Sequence, residues 1–229
     1  MPPMSLAVVI PALNEERALP LLLQDLRCLQ QLIRLDIIVV DAGSQDETIA
    51  SALAGGARVL DAPRGRARQL NAGAGASSGD WLLFLHADSR LDGHAQRVLA
   101  SAVREPAPFH AAVFRYAVDL SPTWKHMLEL GQVLRETVWG LPYGDQGLLI
   151  RRECFASIGG YPDLPVLEDV AMIQALRRRV KIERLPATIV TSGRRYRQHG
   201  VIRTSLQHLA LISLYLLGVS PARLARWRS

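Results

Sequence analysis

The stretch LAVVIPALNEERALPLLLQDLRCLQQLIRLDIIVVDAGS, residues 6–44, decides the fold of this 229-residue chain. It holds two short apolar runs rich in β-branched residues, at 6–11 and 35–40. Such runs are typical of strands that are buried on both faces of a parallel sheet. Between them, leucines recur at helical spacing over residues 14–31. Strand, helix and strand in this order predict a βαβ unit.

The same alternation continues beyond this unit. Further strands are predicted at 58–60 and 81–85, and further helices at 46–54, 66–76 and 91–104. The second half is less regular; its predicted elements are a strand at 109–118, a helix at 123–135, a strand at 147–150, a helix at 168–179 and short strands at 182–185 and 188–191. We therefore expect an α/β domain over residues 1–200, with a mostly parallel central sheet and helices on both faces. An apolar and basic helical extension over residues 201–229 would follow it.

Composition excludes several classes of protein. Hydrophobic residues make up 49% and charged residues 21% of the chain, as in ordinary globular proteins. Two cysteines cannot build a disulfide scaffold. The net charge of +6 is uneven, because the segment from Arg177 to Ser229 carries 12 Lys and Arg and a single acidic residue. A nucleic acid, an anionic membrane or a phosphorylated substrate would each suit this charge. Nucleic acid fits least, since acidic residues at the predicted strand ends would repel its phosphates.

The start of the chain shows no signal segment, and no run reaches the roughly 20 apolar residues of a membrane span. The run LALISLYLLGV at 209–219 is apolar on nearly every face of a helix. It is therefore either buried against protein or dipped into a bilayer interface. Together with Arg223, Arg226 and Trp227, it predicts a membrane contact or a homodimer contact. We expect a cytoplasmic protein, either free or peripheral at the inner face of the membrane.

Polar side chains collect where three predicted strands end. Asn14 and Glu15 follow the first strand, Asp41 follows the second, and His86 and Asp88 follow the fourth. Ligands of parallel α/β sheets bind beyond the carboxyl ends of the strands, so these side chains mark the candidate site. The sequence contains no P-loop, no GxGxxG after the first strand, no GxSxG and no HExxH.

The chain resembles the inverting glycosyltransferases of family 2, which have the GT-A fold. Five runs carry this resemblance, in order along residues 5–200: VVIPALNEE (8–16), IIVVDAGSQDET (37–48), RGRARQLNAG (64–73), GDWLLFLHADSRL (79–91) and LEDV (167–170). Within the family the chain is most similar to the small bacterial branch linked with arsenosugar biosynthesis. The resemblance implies transfer of a sugar from a nucleotide-diphosphate donor to an acceptor hydroxyl, with inversion. The alternative is a catalytically silent protein that binds nucleotide-sugars or other anionic ligands.

The resemblance also implies a donor site. Asn14 or Glu15, together with Asp41, would take the base and the ribose, and Asp145 would bind sugar hydroxyls. The arginines at 64–68 would neutralise the diphosphate, for which guanidinium groups are suited, or else form a solvated basic face. The donor-binding residues implied are Pro11, Ala12, Asn14, Glu15, Asp41, Arg64, Arg68, Asn71, His86, Ala87, Asp88 and Asp145.

The metal motif departs from the pattern of the family. Relatives usually carry Asp-x-Asp at the fourth strand end, and this chain has His86-Ala87-Asp88. The last acid is retained, and it is the one expected to hold Mn²⁺ or Mg²⁺. His199 lies where relatives often supply a second ligand.

An acid pair, Glu168-Asp169, matches the position of the catalytic carboxylates in the family. Asp169 would act as general base on the acceptor hydroxyl, and Glu168 would orient it or contact the acceptor. Without the resemblance, the same two acids would be ordinary helix-dipole partners. Arg194, Arg195 and Tyr196 would contact the acceptor and phosphate. Whether the acceptor is a small molecule or a lipid stays open.

Overall fold

The computed structural model describes residues 4–105, 109–121, 123–124, 128 and 146–228. Strands over these residues are β1 Leu6–Ala12, β2 Leu35–Asp41, β3 Arg58–Asp61, β4 Trp81–Phe84, β5 Ser89–Arg90, β6 Ala111–Asp119, β7 Leu148–Arg151 and β8 Ile182–Ser192. Helices are α1 Leu19–Gln30, α2 Thr48–Ala54, α3 Arg66–Ala76, α4 Gly93–Arg104, α5 Arg152–Ser157, α6 Glu168–Arg177, α7 Arg194–His199, α8 Val201–Leu216 and α9 Pro221–Arg228. Asp145 and most of the helix predicted at 123–135 lie outside the described residues.

All of these strands belong to one sheet, in the order β3-β2-β1-β4-β7-β6-β8-β5. The four N-terminal strands β1 to β4 are parallel; in the central strand, Val8 pairs with Ile37 on one side and with Leu83 on the other. β7 runs antiparallel to β4 and β6, whereas β6 and β8 are parallel. The predicted mostly parallel sheet is confirmed. The carboxyl ends of β1, β2 and β4 therefore share one edge.

Helices cover both faces of the sheet, as predicted. Leu6, Val8 and Ile10 of β1 join a buried cluster with the leucines of α1 and α4. Ala7 and Val9, which point to the opposite face, join a second cluster with α3 and α6. Because successive side chains of a strand alternate between faces, a strand that is apolar throughout needs a helix layer on each side.

The small residues of α3 let this helix approach the sheet closely. A Cβ atom added to Gly73 would lie 2.4 Å from Cγ1 of Val9 and 3.0 Å from Cγ2 of Val40. The sequence RARQLNAGAGA therefore has a packing role, because it brings the first turn of α3 to the edge of the sheet where β1 and β2 end.

Two predicted elements differ from the structure by more than two residues. α1 begins at Leu19 and not at Asn14, because Asn14 has a left-handed φ of 55° and belongs to a loop, and Pro20 sits in the first turn of the helix. The two short strands predicted at 182–185 and 188–191 form the single strand β8. Its pairing with β6 shifts register between Val113 and Arg115, opposite residues 185–187, because Pro186 has no N–H to donate to the ladder.

The C-terminal helices pack against the sheet domain. Ile212 of α8 joins the buried cluster that contains α3 and α6. Leu224 of α9 packs with Leu211 of α8 and with Val166. Among the described helices, none combines the length and the apolar character that a bilayer crossing requires.

Candidate active site

A cleft of about 690 Å³ opens at the carboxyl ends of β1 and β4. The start of α3, the start of α6, and α7 with one face of α8 complete its walls. The structure thus brings together predicted residues that are far apart in the sequence. Those that line the cleft are Pro11, Ala12, Glu15, His86, Ala87, Asp88, Glu168, Asp169, Arg194, Arg195, Tyr196 and His199.

Asn14 and Asp41 do not line the cleft, although Asn14 lies just beyond β1 and Asp41 is the last residue of the neighbouring strand β2. The side-chain oxygen of Asn14 accepts from the backbone N–H of Gln45 at 2.8 Å. Asp41 is almost fully buried, and its Oδ2 accepts from the backbone N–H groups of Gly43 and Ser44, both at 2.8 Å. Both side chains therefore stabilise the loop that follows β2, through hydrogen bonds to its backbone N–H groups.

Three of the predicted donor residues around α3 also lie outside the cleft lining. Arg68 pairs at the surface with Asp163, at 3.0 Å. Asn71 donates to the backbone carbonyl of Tyr161 at 2.8 Å and accepts from its N–H at 2.9 Å. Arg64 is exposed and precedes the helix. The cleft is lined instead by Arg66 and Gln69, which lie one turn apart on the same face of α3.

An ion pair links the end of β1 to α7. Nη2 of Arg194 lies 2.8 Å from Oε1 of Glu15. Oε2 of Glu15 is buried and has no hydrogen-bond partner among the described residues. Burial raises the pKa of Glu15; the pairing with Arg194 opposes this shift, and the charge of Asp88 adds to it. A second acceptor oxygen is therefore available at the inner end of the cleft.

The His86-Ala87-Asp88 turn places two titratable groups near the arginines of the cleft. Burial raises the pKa of Asp88. The positive charges of Arg194, Arg66 and Arg195 oppose this shift but do not cancel it. Burial, with the charges of Arg66 and Arg195, lowers the pKa of His86 to about 3. The imidazole is therefore neutral at ordinary pH, with one nitrogen able to donate and the other able to accept.

The acid pair opens α6 immediately after a strained residue. Leu167 adopts a left-handed φ of 63°, which turns the chain so that α6 starts at the cleft. Glu168 is buried and its Oε1 lies 3.3 Å from Nη1 of Arg66. Oδ1 of Asp169 accepts from the backbone N–H of Val170 at 2.8 Å in the first turn. Asp169 is half-buried and lines the same cleft as Asp88.

Comparison with known proteins identifies the family. The sequence model described as glycosyl transferase family 2 matches residues 7–160, which is more than half of the chain. The chain belongs to glycosyl transferase family 2. The matched residues include all of β1 except its first residue, the whole of β4 and the His86-Ala87-Asp88 turn.

Individual family members match over shorter stretches. A 4,4'-diaponeurosporenoate glycosyltransferase from Staphylococcus haemolyticus is 35% identical in an alignment 133 residues long, which covers 54% of this chain and 35% of that protein. A glucosyl-3-phosphoglycerate synthase from Mycobacterium tuberculosis is 32% identical in an alignment 93 residues long, which covers 37% of this chain and 29% of that protein. The chain thus spans about a third of the length of the curated relatives that it matches.

Solved structures confirm the GT-A fold. The M. tuberculosis glucosyl-3-phosphoglycerate synthase, crystallised with Mn²⁺, UDP and phosphoglyceric acid, superposes with a TM-score of 0.61 at 20% identity. This match covers 82% of the present chain and 69% of the other. The same synthase with Mg²⁺ and UDP gives a TM-score of 0.56 at 22% identity, covering 82% and 70% of the two chains.

Divalent cations suit the donor atoms that the family 2 cleft offers. Over the part of the chain that is described, no three His, Cys, Asp or Glu side chains form a group able to hold a metal by themselves. Mg²⁺ and Mn²⁺ do not require such a cage, because they prefer oxygen ligands and usually bind one or two carboxylates plus substrate phosphates. Asp88 and the unpaired Oε2 of Glu15 are carboxylate oxygens of this kind. His199 is exposed in the cleft lining, and its role as a ligand stays a prediction.

Several cleft residues carry no sequence signal that marks them as functional. Gln69 is buried, and its Nε2 donates to the backbone carbonyls of Ala12 at 3.0 Å and Val40 at 2.7 Å. Gln69 therefore links the ends of β1 and β2. The only sequence feature that indicates its position in the cleft is its spacing of three residues from Arg66, which puts both on one face of α3. Other lining residues that the motifs do not predict are Tyr116, Val166, Thr191, Ser192, Gln198, His208, Leu211 and Ile212.

Proposed function

We propose that this family 2 protein transfers a sugar from a nucleotide-diphosphate donor to an acceptor hydroxyl, with inversion at the anomeric carbon. One observation carries the proposal: Asp88 from the end of β4 and Asp169 from α6 line the same cleft. A donor-anchoring carboxylate and a candidate base thus lie within one cavity, although a long stretch of sequence separates them.

Asp169 is the general base of the proposed reaction. Its carboxylate takes the proton of the acceptor hydroxyl as that oxygen forms a bond to the anomeric carbon. The bond from this carbon to the diphosphate oxygen breaks, and its electron pair leaves on the diphosphate. Attack from the side opposite the leaving group inverts the configuration. Glu168, paired with Arg66, positions the base or contacts the acceptor.

The cations of the cleft neutralise the leaving diphosphate. Arg66, Arg194 and Arg195 line the same cleft as Asp88, and their charges lower the pKa of this carboxyl. In the proposed reaction these three cations offset the charge that develops on the phosphate. Arg194 is also free to exchange Glu15 for a phosphate oxygen, because guanidinium groups bind both kinds of anion in the same geometry. Neutral His86 supplies a hydrogen bond to the donor without adding charge.

A divalent cation is part of the proposal. Asp88 would hold it, with Glu15 or His199 as a second ligand, and it would neutralise charge on the diphosphate when bound. Support comes from the fold neighbours, which were crystallised with Mn²⁺ or Mg²⁺ and UDP. The backbone at Pro11 and Ala12, where the cleft meets β1, would take the nucleoside.

A donor panel with one matched pair of variants tests the function. The protein is incubated with UDP-, GDP- and dTDP-sugars and Mn²⁺, and donor consumption and product mass are followed. Asp169→Asn should lower turnover by about 10²- to 10⁴-fold, the range for loss of a general base, while nucleotide affinity changes little. Asp163→Asn is the control, because this exposed acid pairs with Arg68 outside the cleft lining. Equal turnover in the two variants would remove Asp169 as the base.

The silent binding protein is the second candidate, favoured by the single acid in His86-Ala87-Asp88. It predicts nucleotide-sugar binding without donor consumption for any member of the panel. The nature of the acceptor, the place of the chain in the arsenosugar-linked branch and the cytoplasmic location stay predictions. So does the division into a domain at 1–200 and an extension at 201–229.

A further inference from the structure

Helix α8 exposes an apolar face. Its exposed large hydrophobic residues are Ile202, Leu206, Leu209 and Leu216, and Leu217, which is 82% exposed, follows directly. Their spacing of four, three, seven and one residues keeps them within about a third of the helix circumference. The opposite side of α8 is the one that packs on the protein. We name the set Ile202, Leu206, Leu209, Leu216 and Leu217 the apolar stripe.

Helix α9 adds basic and aromatic groups next to α8. It packs back through Leu224, which contacts the cluster of Leu211 and Val166. Arg223, Arg226 and Trp227 are spaced by three and one residues, so they share one side of α9, and all three are exposed. The indole of Trp227 is 74% exposed, which is unusual for the largest apolar side chain.

We propose that the apolar stripe and the exposed side of α9 dock on the surface of a bilayer that contains anionic lipids. An interfacial helix buries its apolar face at the boundary between headgroups and acyl chains, and does not need to span the membrane. Arginines then meet the negative surface, and tryptophan prefers the headgroup level.

Charge favours a bilayer over a second copy of the chain. The segment from Arg177 to Ser229 carries 12 basic residues and a single acid, Glu183. Lys181, Arg194 and Arg197 of this segment are paired with acids. Among the described side chains of α8 and α9, the exposed basic ones are Arg203, Arg223 and Arg226. A symmetric dimer through the apolar stripe would bring two copies of these helices together, and their like charges would oppose it. An anionic bilayer surface neutralises the same charge. It would therefore bury the side chains of the apolar stripe and also pair with the arginines.

The position of α8 connects this surface with the cleft. His208, Leu211 and Ile212 line the cleft from the other side of the same helix. Docking through the apolar stripe therefore places α8, which forms one wall of the cleft, at the surface of the bilayer. The docking itself does not depend on the proposed transferase reaction, so the two fail in different experiments.

Vesicle flotation with the full chain tests the docking. The protein is mixed with vesicles of phosphatidylcholine alone, or of phosphatidylcholine and phosphatidylglycerol in equal parts. We expect binding to the anionic vesicles that weakens with salt, and little binding to the neutral ones. Arg223→Gln with Arg226→Gln should lower the partition coefficient roughly 30-fold, because each basic residue at an anionic surface contributes roughly fivefold. Leu206→Gln with Leu209→Gln should lower it at least as much, since it removes apolar area from the interface.

Matched controls separate docking from general surface effects. Leu53→Gln changes an equally exposed leucine on α2, and Arg34→Gln with Arg97→Gln removes two exposed charges from the N-terminal half. Both controls should bind anionic vesicles as the unaltered protein does. Circular dichroism confirms that each variant is folded; all the altered side chains are exposed, so we expect native spectra.

Three outcomes would overturn the proposal. The first is no binding to anionic vesicles, and the second is equal binding to neutral and anionic vesicles. The third is that light scattering shows the unaltered protein to be a dimer that does not bind vesicles, and shows the variant with Leu206→Gln and Leu209→Gln to be a monomer. That result would assign the apolar stripe to a second copy of the chain. If the leucine variant fails to fold, the result with Arg223→Gln and Arg226→Gln decides alone.

Discussion

Replacing Gln69 by leucine removes the side chain that ties the ends of β1 and β2 together at the cleft. Gln69 is 6% exposed and donates to two backbone carbonyls, those of Ala12 and Val40. Leucine has a similar size, so the change removes hydrogen bonds with little change in packing volume. Each bond contributes about 0.5–1.5 kcal/mol net. The carbonyl of Ala12 also accepts from the backbone N–H of Ala42 at 3.1 Å, so it keeps one donor in the variant. We expect Gln69→Leu to destabilise the fold by about 2 kcal/mol.

A second glutamine in the same chain supplies the control. Gln96 of α4 is 8% exposed and donates a single side-chain bond, to the carbonyl of Leu91 at 2.9 Å. Gln96→Leu should therefore destabilise by about 1 kcal/mol, half as much as Gln69→Leu. The two variants share the chemical change and nearly the same burial, so their difference reports the extra bond at the strand ends.

Urea unfolding measures both variants. The midpoint should fall for each without a change in slope, which shows that stability and not compactness has changed. In a thermal scan, the loss for Gln69→Leu corresponds to a fall in Tm of about 4–8 °C for a chain of this size, against about 2–4 °C for Gln96→Leu. Equal losses in the two variants, or a Gln69→Leu protein as stable as the original, would refute the reasoning.

Two further predictions concern the packing of α3 and the charge of His86. Gly73→Ala should destabilise the fold by about 1–3 kcal/mol, because its Cβ would lie 2.4 Å from Val9 Cγ1. Gly75 is the control, since no atom would lie within 4 Å of a Cβ there. Gly75→Ala should therefore stabilise the fold by up to about 1 kcal/mol. Equal urea midpoints for these variants would contradict the close approach of α3. His86 has a pKa of about 3 in the fold against an ordinary 6.5, so the unfolded chain takes up a proton first and stability falls as pH drops from 6.5 towards 3. In metal-free buffer, the stability of His86→Gln should fall less steeply over this window, by up to about 1.4 kcal/mol per pH unit. Parallel curves for the two proteins would exclude an imidazole that stays neutral in the folded chain.

The pattern of apolar residues was sufficient to predict the parallel part of the sheet, which is formed by β1 to β4. Runs such as 6–11 and 81–85 have no polar face, so they can only be strands covered on both sides, and the helices between them force parallel pairing. This logic also fixes which ends of the strands meet. The position of Glu15 and Asp88 at one edge of the sheet follows from it, and the structure places both in the cleft.

The same pattern did not distinguish cleft residues from loop residues. Asn14 and Asp41 follow strand ends as Glu15 and Asp88 do, yet their oxygens accept backbone N–H groups of the loop at 43–45. Which polar side chain turns inward depends on the hydrogen bonds that the neighbouring loop needs, and that loop is remote in sequence from Asn14. A single sequence does not carry this information.

The sequence by itself determined the α/β class, the parallel direction of the first four strands and the edge of the sheet where polar groups gather, because each depends on local periodicity and on the covalent order of elements. Only the tertiary structure decided that Gln69 links two strand ends, that Arg66 pairs with Glu168, and that α8 closes one wall of the cleft. These are contacts between segments far apart in the chain. They arise when whole faces of helices and sheets are packed together, and the residue types alone do not specify them.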